Sequence, residues 1–320
     1  MPLIRNALAA ILWVLTLVNA HAQAPEQPIR IVIPYPAGGA GDATARMLAE
    51  AMRTSLKRPV IVENKPGAAG RLGVQAVKEA APDGSVLLFT PIAPMAIFPH
   101  VYEKLAYDPV ADFAPISQVA TFDLAVAVGA NVPSKSLKEL VAWLNENPAQ
   151  ANYGTPAAGS LPHFFAVSFA RTANLDLRHV AYKGNAQAIS DLIGGHLLIF
   201  FTSTPDLVEP HKAGRIRILA TSGAQRSAAL PEVPTFMEAG HRIHGEGWYA
   251  IYAPAKTSPE VVARLNAAIV AAVRMPVIKD RLLALRLVPT GTSGPELARI
   301  QKADSELWGP VIGASGFKPE

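Results

Sequence analysis

Cysteine is absent from the 320 residues. That excludes disulfides, thiolate metal ligands, a cysteine nucleophile and a lipid-modified cysteine near the N-terminus. Charge is scarce as well: 17% of residues are charged, the net balance is +4, and no lysine or arginine run occurs. Nothing in this pattern points to nucleic acid or a membrane surface, and neither partner is expected. Catalytic signatures are also missing. There is no G-x-S-x-G, no H-E-x-x-H and no G-x-x-x-x-G-K-[ST]. His241-x-x-His244 has no obvious third ligand, and Ser315-x-x-Lys318 matches S-x-x-K without partner motifs. Both are set aside, so no enzyme, metal or cofactor is expected, a periplasmic hydrolase being the rival class. After the N-terminus no apolar run reaches the roughly 20 residues that a membrane-spanning helix needs.

What is present begins with a targeting signal. Arg5 precedes the uncharged apolar stretch Ala7 to Val18, and Ala20-His21-Ala22 matches an A-x-A cleavage pattern. Residues 1–22 therefore read as a signal peptide cleaved after Ala22, and export without cysteine suits a bacterial periplasm. Hydrophobic residues make up 50% of the chain, enough for a substantial core. Its length suits two lobes better than one.

The stretch that organises the rest is Pro34-Tyr35-Pro36-Ala37-Gly38-Gly39-Ala40-Gly41-Asp42. It follows Ile29 to Ile33, an alternating strand, and leads into Ala43 to Leu56, whose Met47, Leu48, Ala51, Met52 and Leu56 recur at helical spacing. A strand, a glycine loop and a helix start place backbone N–H groups and a positive helix end at one point, which suits an anion. No lysine stands near to meet a phosphate. A plain turn that needs glycine is the alternative.

Strand and helix then alternate. A strand at 59–62 and a second glycine turn at 63–70 precede a helix with Leu72, Ala76, Val77 and Ala80 on one face. The strand Val86 to Phe89 ends at Thr90. Such alternation predicts parallel strands covered on both faces, with ligands at their carboxyl ends. The long apolar run Ile116 to Val128 is the candidate first crossing between lobes, and Gly247 to Ala253 the return. Between them a second unit repeats the first: strand 151–154, a small-residue loop Thr155 to Ser160, and a helix Leu161 to Ala173. Ser160 either caps that helix or offers its hydroxyl to a ligand. Thr202 stands at the end of a later strand, as Thr90 does in the first unit. Helices near 259–274, 277–285 and 295–307 should return to the first lobe. Lobe 1 is thus expected over 23–122 and again, with the return crossing, over 247–320; lobe 2 spans 123–246.

An ordered set of short matches now carries a resemblance. It comprises Pro34 to Gly39 with Asp42 and Arg46, Val62 to Gly70, Ala81-Pro82-Asp83-Gly84, Tyr107 to Pro115, Asn152-Tyr153-Gly154, Gly159-Ser160 with His163, His179 to Gly184, Arg226 to Thr235, and Trp248 with Ala253-Pro254. Together these resemble the Bug, or TctC-like, extracytoplasmic solute receptors of tripartite tricarboxylate transporters. The resemblance implies an α/β, two-lobed type II periplasmic binding protein with mostly parallel sheets, flanking helices and two crossing segments. It also implies a small carboxylate ligand, membrane transporter subunits as partners, and action as a monomer. A sensor that receives the loaded protein is the alternative partner.

Carried over residue by residue, it points to Tyr35, Ala37, Gly38, Gly39 and Asp42 on one lobe, and to Ala157, Ser160 and His163 on the other. Thr90 and Thr202 join them from the strand ends. Asp42 either caps its helix or orients a water, since facing an anion would be repulsive. His163 is either packed or a contact. Thr202 stands where the family often has an aspartate suited to a ligand amine. Its absence leads us to expect a ligand without one: a mono- or dicarboxylate, aromatic acids included.

Overall fold

The computed structural model describes residues 27–227 and 229–318. The signal peptide and its cleavage point lie outside the described residues.

The first unit is β1 (Ile29–Ile33), α1 (Ala40–Leu56), β2 (Val60–Asn64), α2 (Arg71–Lys78) and β3 (Val86–Pro91). β1 lies between β2 and β3, parallel to both. α1 buries Ala45, Leu48, Ala49 and Met52 on one stripe, the spacing a helix needs to cover a sheet. It ends at Lys57 in the left-handed region, φ 51°. α2 turns Val77 inward as its spacing suggests, but not Leu72. Gly73, Val74 and Val77 are buried, whereas Leu72 is 53% exposed. Gly73 explains the rotation: a Cβ there would come within 2.7 Å of the Lys65 carbonyl and 2.8 Å of Pro34, so the missing side chain lets the helix press on the loop below.

A π-helical turn (Ala93–Ile97) and α3 (Phe98–Val101) follow. β4 (Phe113–Gly129) is the long crossing strand. Its first part pairs antiparallel with β9 (Glu246–Pro254) down to Asp123↔Glu246. From Leu124 onward it pairs with β7 (Ile199–Ser203), and from Ala125 onward also with β8 (Ile216–Thr221). The change of partner at Asp123/Leu124 lies within one continuous strand.

The second unit adds α4 (Leu137–Glu146), β5 (Asn152–Thr155), α5 (Leu161–Ala173), β6 (Arg178–Ala181), α6 (Asn185–Gly194) and α7 (Thr204–Lys212). β5 pairs parallel with β6 and β7. The outer strands of each lobe are parallel as expected. The crossing strands contribute antiparallel pairs, because a chain that leaves and returns must reverse direction, so the sheet as a whole is mixed.

β9 pairs with β3 and brings the chain back to α8 (Pro259–Arg274), α9 (Pro276–Ala284), β10 (Val288–Pro289) and α10 (Gly294–Ser315). Ser258 caps α8 through Val261 N–H, with Pro259 in the first turn, where its missing N–H costs nothing. α10 runs well past its expected end at Leu307. Pro310 removes one internal hydrogen bond, but Trp308 and Ile312 on either side of it are buried, and that burial keeps the helix going to Ser315. Its last turn carries the chain across to α5, where Phe317 meets Phe164 edge-on at 5.7 Å.

Candidate functional site

Residues of both lobes line one cleft of about 1410 Å³. Its floor on the first lobe is the Pro34–Gly39 loop, which the sequence holds in place by a small polar network. The Asp42 carboxylate accepts from Gly38 N–H at 3.3 Å, Arg46 Nε at 3.0 Å and Asn64 Nδ2 at 3.0 Å. Asn64, the last residue of β2, also donates to the Tyr35 carbonyl at 3.1 Å. Burial pulls the Asp42 carboxyl up, but the hydrogen bonds from Arg46, Asn64 and Gly38 outweigh it and hold the pKa below the usual carboxylate range. Gly38 sits at φ 103° with nothing within 4 Å of a Cβ position, so here glycine serves backbone conformation.

Aromatic rings close the sides. Tyr249 stacks on Phe89 at 5.4 Å and lies 4.8 Å from Phe122, and its ring lies so close to Gly41 that a Cβ there would come within 2.9 Å. Arg71 lies over the Tyr102 ring at 3.9 Å, a cation–π contact at the start of α2. The turn before it holds Ala68 and Ala69 at φ 46° and 56°, a left-handed pair that L-residues adopt at a cost and that gathers at ligand sites.

The facing loop of the second lobe, Pro156 to Ser160, is tied to itself. Thr155 Oγ1 and Ser160 Oγ both donate to the Ala157 carbonyl, at 3.0 and 2.7 Å. Gly159 N–H donates to His163 Nδ1 at 3.1 Å. His163 stacks on His179 with centroids 4.0 Å apart, and His179 Nε2 lies 2.6 Å from Thr155 Oγ1. Burial, and then the neighbouring His179, push His163 down to about 3; burial pushes His179 down to about 4. Deeper in the lobe, Thr202 Oγ1 donates to Asn185 Oδ1 at 2.8 Å, and Asn185 Nδ2 donates to Asp206 at 2.7 Å.

The arrangement joins two α/β lobes by a pair of long strands, with a cleft floored by facing glycine loops. A family model described as the tripartite tricarboxylate transporter family receptor, TctC, matches residues 44–317. The chain belongs to this family. It is 36% identical over 273 residues to the "UPF0065 protein in gbd 5'region" of Cupriavidus necator, covering 84% of this chain and 83% of that one. It is 30% identical over 297 residues to protein BugT of Bordetella pertussis, with 92% and 91% covered. Among solved structures, a protein of R. palustris with adipate superposes at a TM-score of 0.88 (26% identity, 93% and 100% covered). MatC of Rhodopseudomonas palustris with bound malate superposes at 0.84 (26% identity, 90% and 99% covered). The family and these neighbours are solute-binding receptors.

Of the residues expected in this TctC-family site, Tyr35, Ala37, Gly38, Gly39, Asp42, Ala157, Ser160 and Thr202 line the cleft. Two do not. Thr90 is fully buried, its hydroxyl bonded to the Pro91 carbonyl; strand alternation gives the wall to its neighbours Phe89 and Pro91 instead. His163 is packed behind the loop and acts as an acceptor for Gly159, while His179 is the ring that reaches the wall. Ser160 precedes α5 without a side-chain cap, because its hydroxyl is spent on Ala157. Asp42 reaches back beyond the first turn of α1 to Gly38 rather than capping the helix from its start.

A carboxylate nonetheless stands on the cleft close to position 202. Asp206 lines the cleft, brought beside Ser203 and Asn185 by the first turn of α7. Arg71, Lys183, Tyr249 and the pair Phe317 and Lys318 belong to the wall as well. Arg71 directly follows a glycine turn already noted, so its position was legible. Phe317 and Lys318 were hidden by the early stop assigned to the last helix.

The histidine stack makes a pH prediction. Both rings are neutral in the fold and take up protons more readily when unfolded, so their stability contribution is complete above pH 6.5 and is lost as pH falls toward 4 and then 3. Asp123 shifts oppositely, up to about 6 through burial and then Glu246, so the comparison must be differential. The stability advantage of wild type over His163→Gln should shrink by about 2 kcal/mol between pH 7.5 and 5, read from urea melts at each pH.

Proposed function

We propose that this protein is a periplasmic receptor that captures a small mono- or dicarboxylate, aromatic acids included, in its interlobe cleft. It acts as a monomer after cleavage of its signal at Ala22, and delivers the solute to a tripartite tricarboxylate-type membrane transporter. One observation carries the reading: the N-terminal ends of α1, α2, α5 and α6 all open on the same cleft. Each brings the partial positive charge of a helix start. Together with Arg71, Lys183 and Lys318 in the wall, they make a chamber that concentrates anions.

The flat rings of Tyr35, Tyr102, Phe122 and Tyr249 supply an apolar middle between the polar ends, which suits a short carbon chain or a ring. Neighbours solved with adipate and malate support the same ligand class. Binding needs only complementary donors and closure of the lobes.

A thermal-shift screen over mono-, di- and tricarboxylates tests this. A ligand present at about 100 times its Kd stabilises by about 2.7 kcal/mol, which raises the melting temperature by several degrees. At least one small carboxylate should do so, and uncharged amides of the same acids should not. A flat response to every acid would end the proposal.

A further inference from the structure

Arg71 is a cation standing where local structure disfavours one. It is the first residue of α2, a helix with no acid in its first turn, and its charge opposes the positive end of that helix. Among the described residues no carboxylate forms an ion pair with it. Its side chain is fixed all the same. Nε donates to the Ala68 carbonyl at 3.0 Å, and the guanidinium carbon lies 3.9 Å from the centre of the Tyr102 ring. The Ala68 carbonyl belongs to the left-handed turn that precedes α2. Nε is thereby engaged, while the two terminal nitrogens donate to no acceptor among the described residues. Arg71 lines the cleft, and the glycine before it lies against the Pro34–Gly39 loop. A Cβ on Gly70 would come within 3.0 Å of the Tyr35 ring.

We propose that Arg71 grips a second carboxylate of the solute, so that the receptor selects dicarboxylates over monocarboxylates. This rests on the reading of the cleft as a carboxylate site and adds which acids that site prefers. The first carboxylate goes to the glycine loop at the start of α1. Tyr35 links the two grips, its backbone in that loop and its ring against Gly70, so a carbon chain or ring lying along Tyr35 carries its far end toward Arg71. A guanidinium is planar and presents parallel N–H groups that match both oxygens of a carboxylate. Held by Ala68 and Tyr102 before the solute arrives, it loses little freedom on binding. Lys183 and Lys318 also line the cleft, but no hydrogen bond or ring contact holds either side chain among the described residues, and each offers a point charge rather than a fork.

The test uses the purified receptor, Arg71→Ala and Arg71→Lys, each first checked for cooperative melting. Calorimetry compares acids in pairs that share a carbon skeleton: succinate with butyrate, adipate with hexanoate, and terephthalate with p-toluate. In at least one pair wild type should bind the diacid about tenfold to a hundredfold more tightly, the worth of hydrogen bonds to a charged group. Arg71→Ala should lower that diacid's affinity by the same factor and the monoacid's by only a few-fold, so that the preference collapses. Arg71→Lys should recover part of it, since the charge stays and the fork is lost; should the alanine variant not fold, the same ratio in Arg71→Lys decides. A merely structural role would weaken both acids of a pair alike, and that result would overturn the proposal. So would a diacid preference that survives in Arg71→Ala. Wild type that binds monoacids as tightly as diacids would overturn it too, while leaving the carboxylate reading intact. If no acid of either kind binds wild type, both fall together.

Discussion

Gly39→Asp should abolish binding of every carboxylate that stabilises the wild-type receptor, while the melting temperature of the empty protein stays the same or rises. Gly39 immediately precedes α1 with φ −91° and ψ 174°, an extended backbone that any residue adopts. Nothing lies within 4 Å of the position its Cβ would take. Aspartate is among the preferred residues at a helix start, better than glycine by a few tenths of a kcal/mol, and its charge favours the positive end of the helix. The same carboxylate then holds the point where a ligand carboxylate is to dock. Two like charges about 4 Å apart at a protein surface repel by about 4 kcal/mol, roughly a thousandfold in affinity. Gly39→Ala is the control, since it adds a methyl without charge and should bind within a few-fold of wild type. Calorimetry on the three proteins separates bulk from charge, and undiminished affinity in Gly39→Asp would remove the loop from the site.

That experiment relies on a part of the molecule that was plain in the sequence. The alternation ahead of Pro34, the glycines, and Met47, Leu48 and Met52 behind them, all three buried, report local rules of strand, turn and helix, and local rules survive folding. What the sequence did not disclose was set by distant neighbours. Thr90 and Thr202 are both strand-end threonines, yet one is turned into the sheet and the other onto the cleft, because each depends on which strands flank it. Asp206 stands beside Asn185 only once the starts of α7 and α6 face one another. Lys318 reaches the cleft because Trp308 and Ile312 keep a helix intact through a proline, a packing effect that no short window of sequence contains.

Asp42→Ala should weaken both the fold and the binding, and the direction of the second effect decides what Asp42 does. If its carboxylate faced the ligand directly, removing a negative charge would tighten the hold on an anion. The structure gives it a different task. It fixes three donors at once: the Gly38 N–H, the Arg46 guanidinium and the Asn64 amide. Through Asn64 it also fixes the Tyr35 carbonyl. Alanine leaves those donors without their acceptor and frees the loop whose shape the site depends on. Hydrogen bonds to a charged group are worth about 1.5–3 kcal/mol each, discounted here because Arg46 is half exposed. A net loss of about 2 kcal/mol follows, lowering the melting temperature by about 3 °C for a chain of this size. Affinity should fall about tenfold or more, since the free loop must be ordered again when the ligand enters. Asp42→Asn keeps one acceptor oxygen for Gly38 and should recover part of both losses. Tighter binding in either variant would return Asp42 to the ligand's immediate surroundings. Weaker binding with partial rescue by asparagine identifies it as the residue that holds the glycine loop in register with the start of α1.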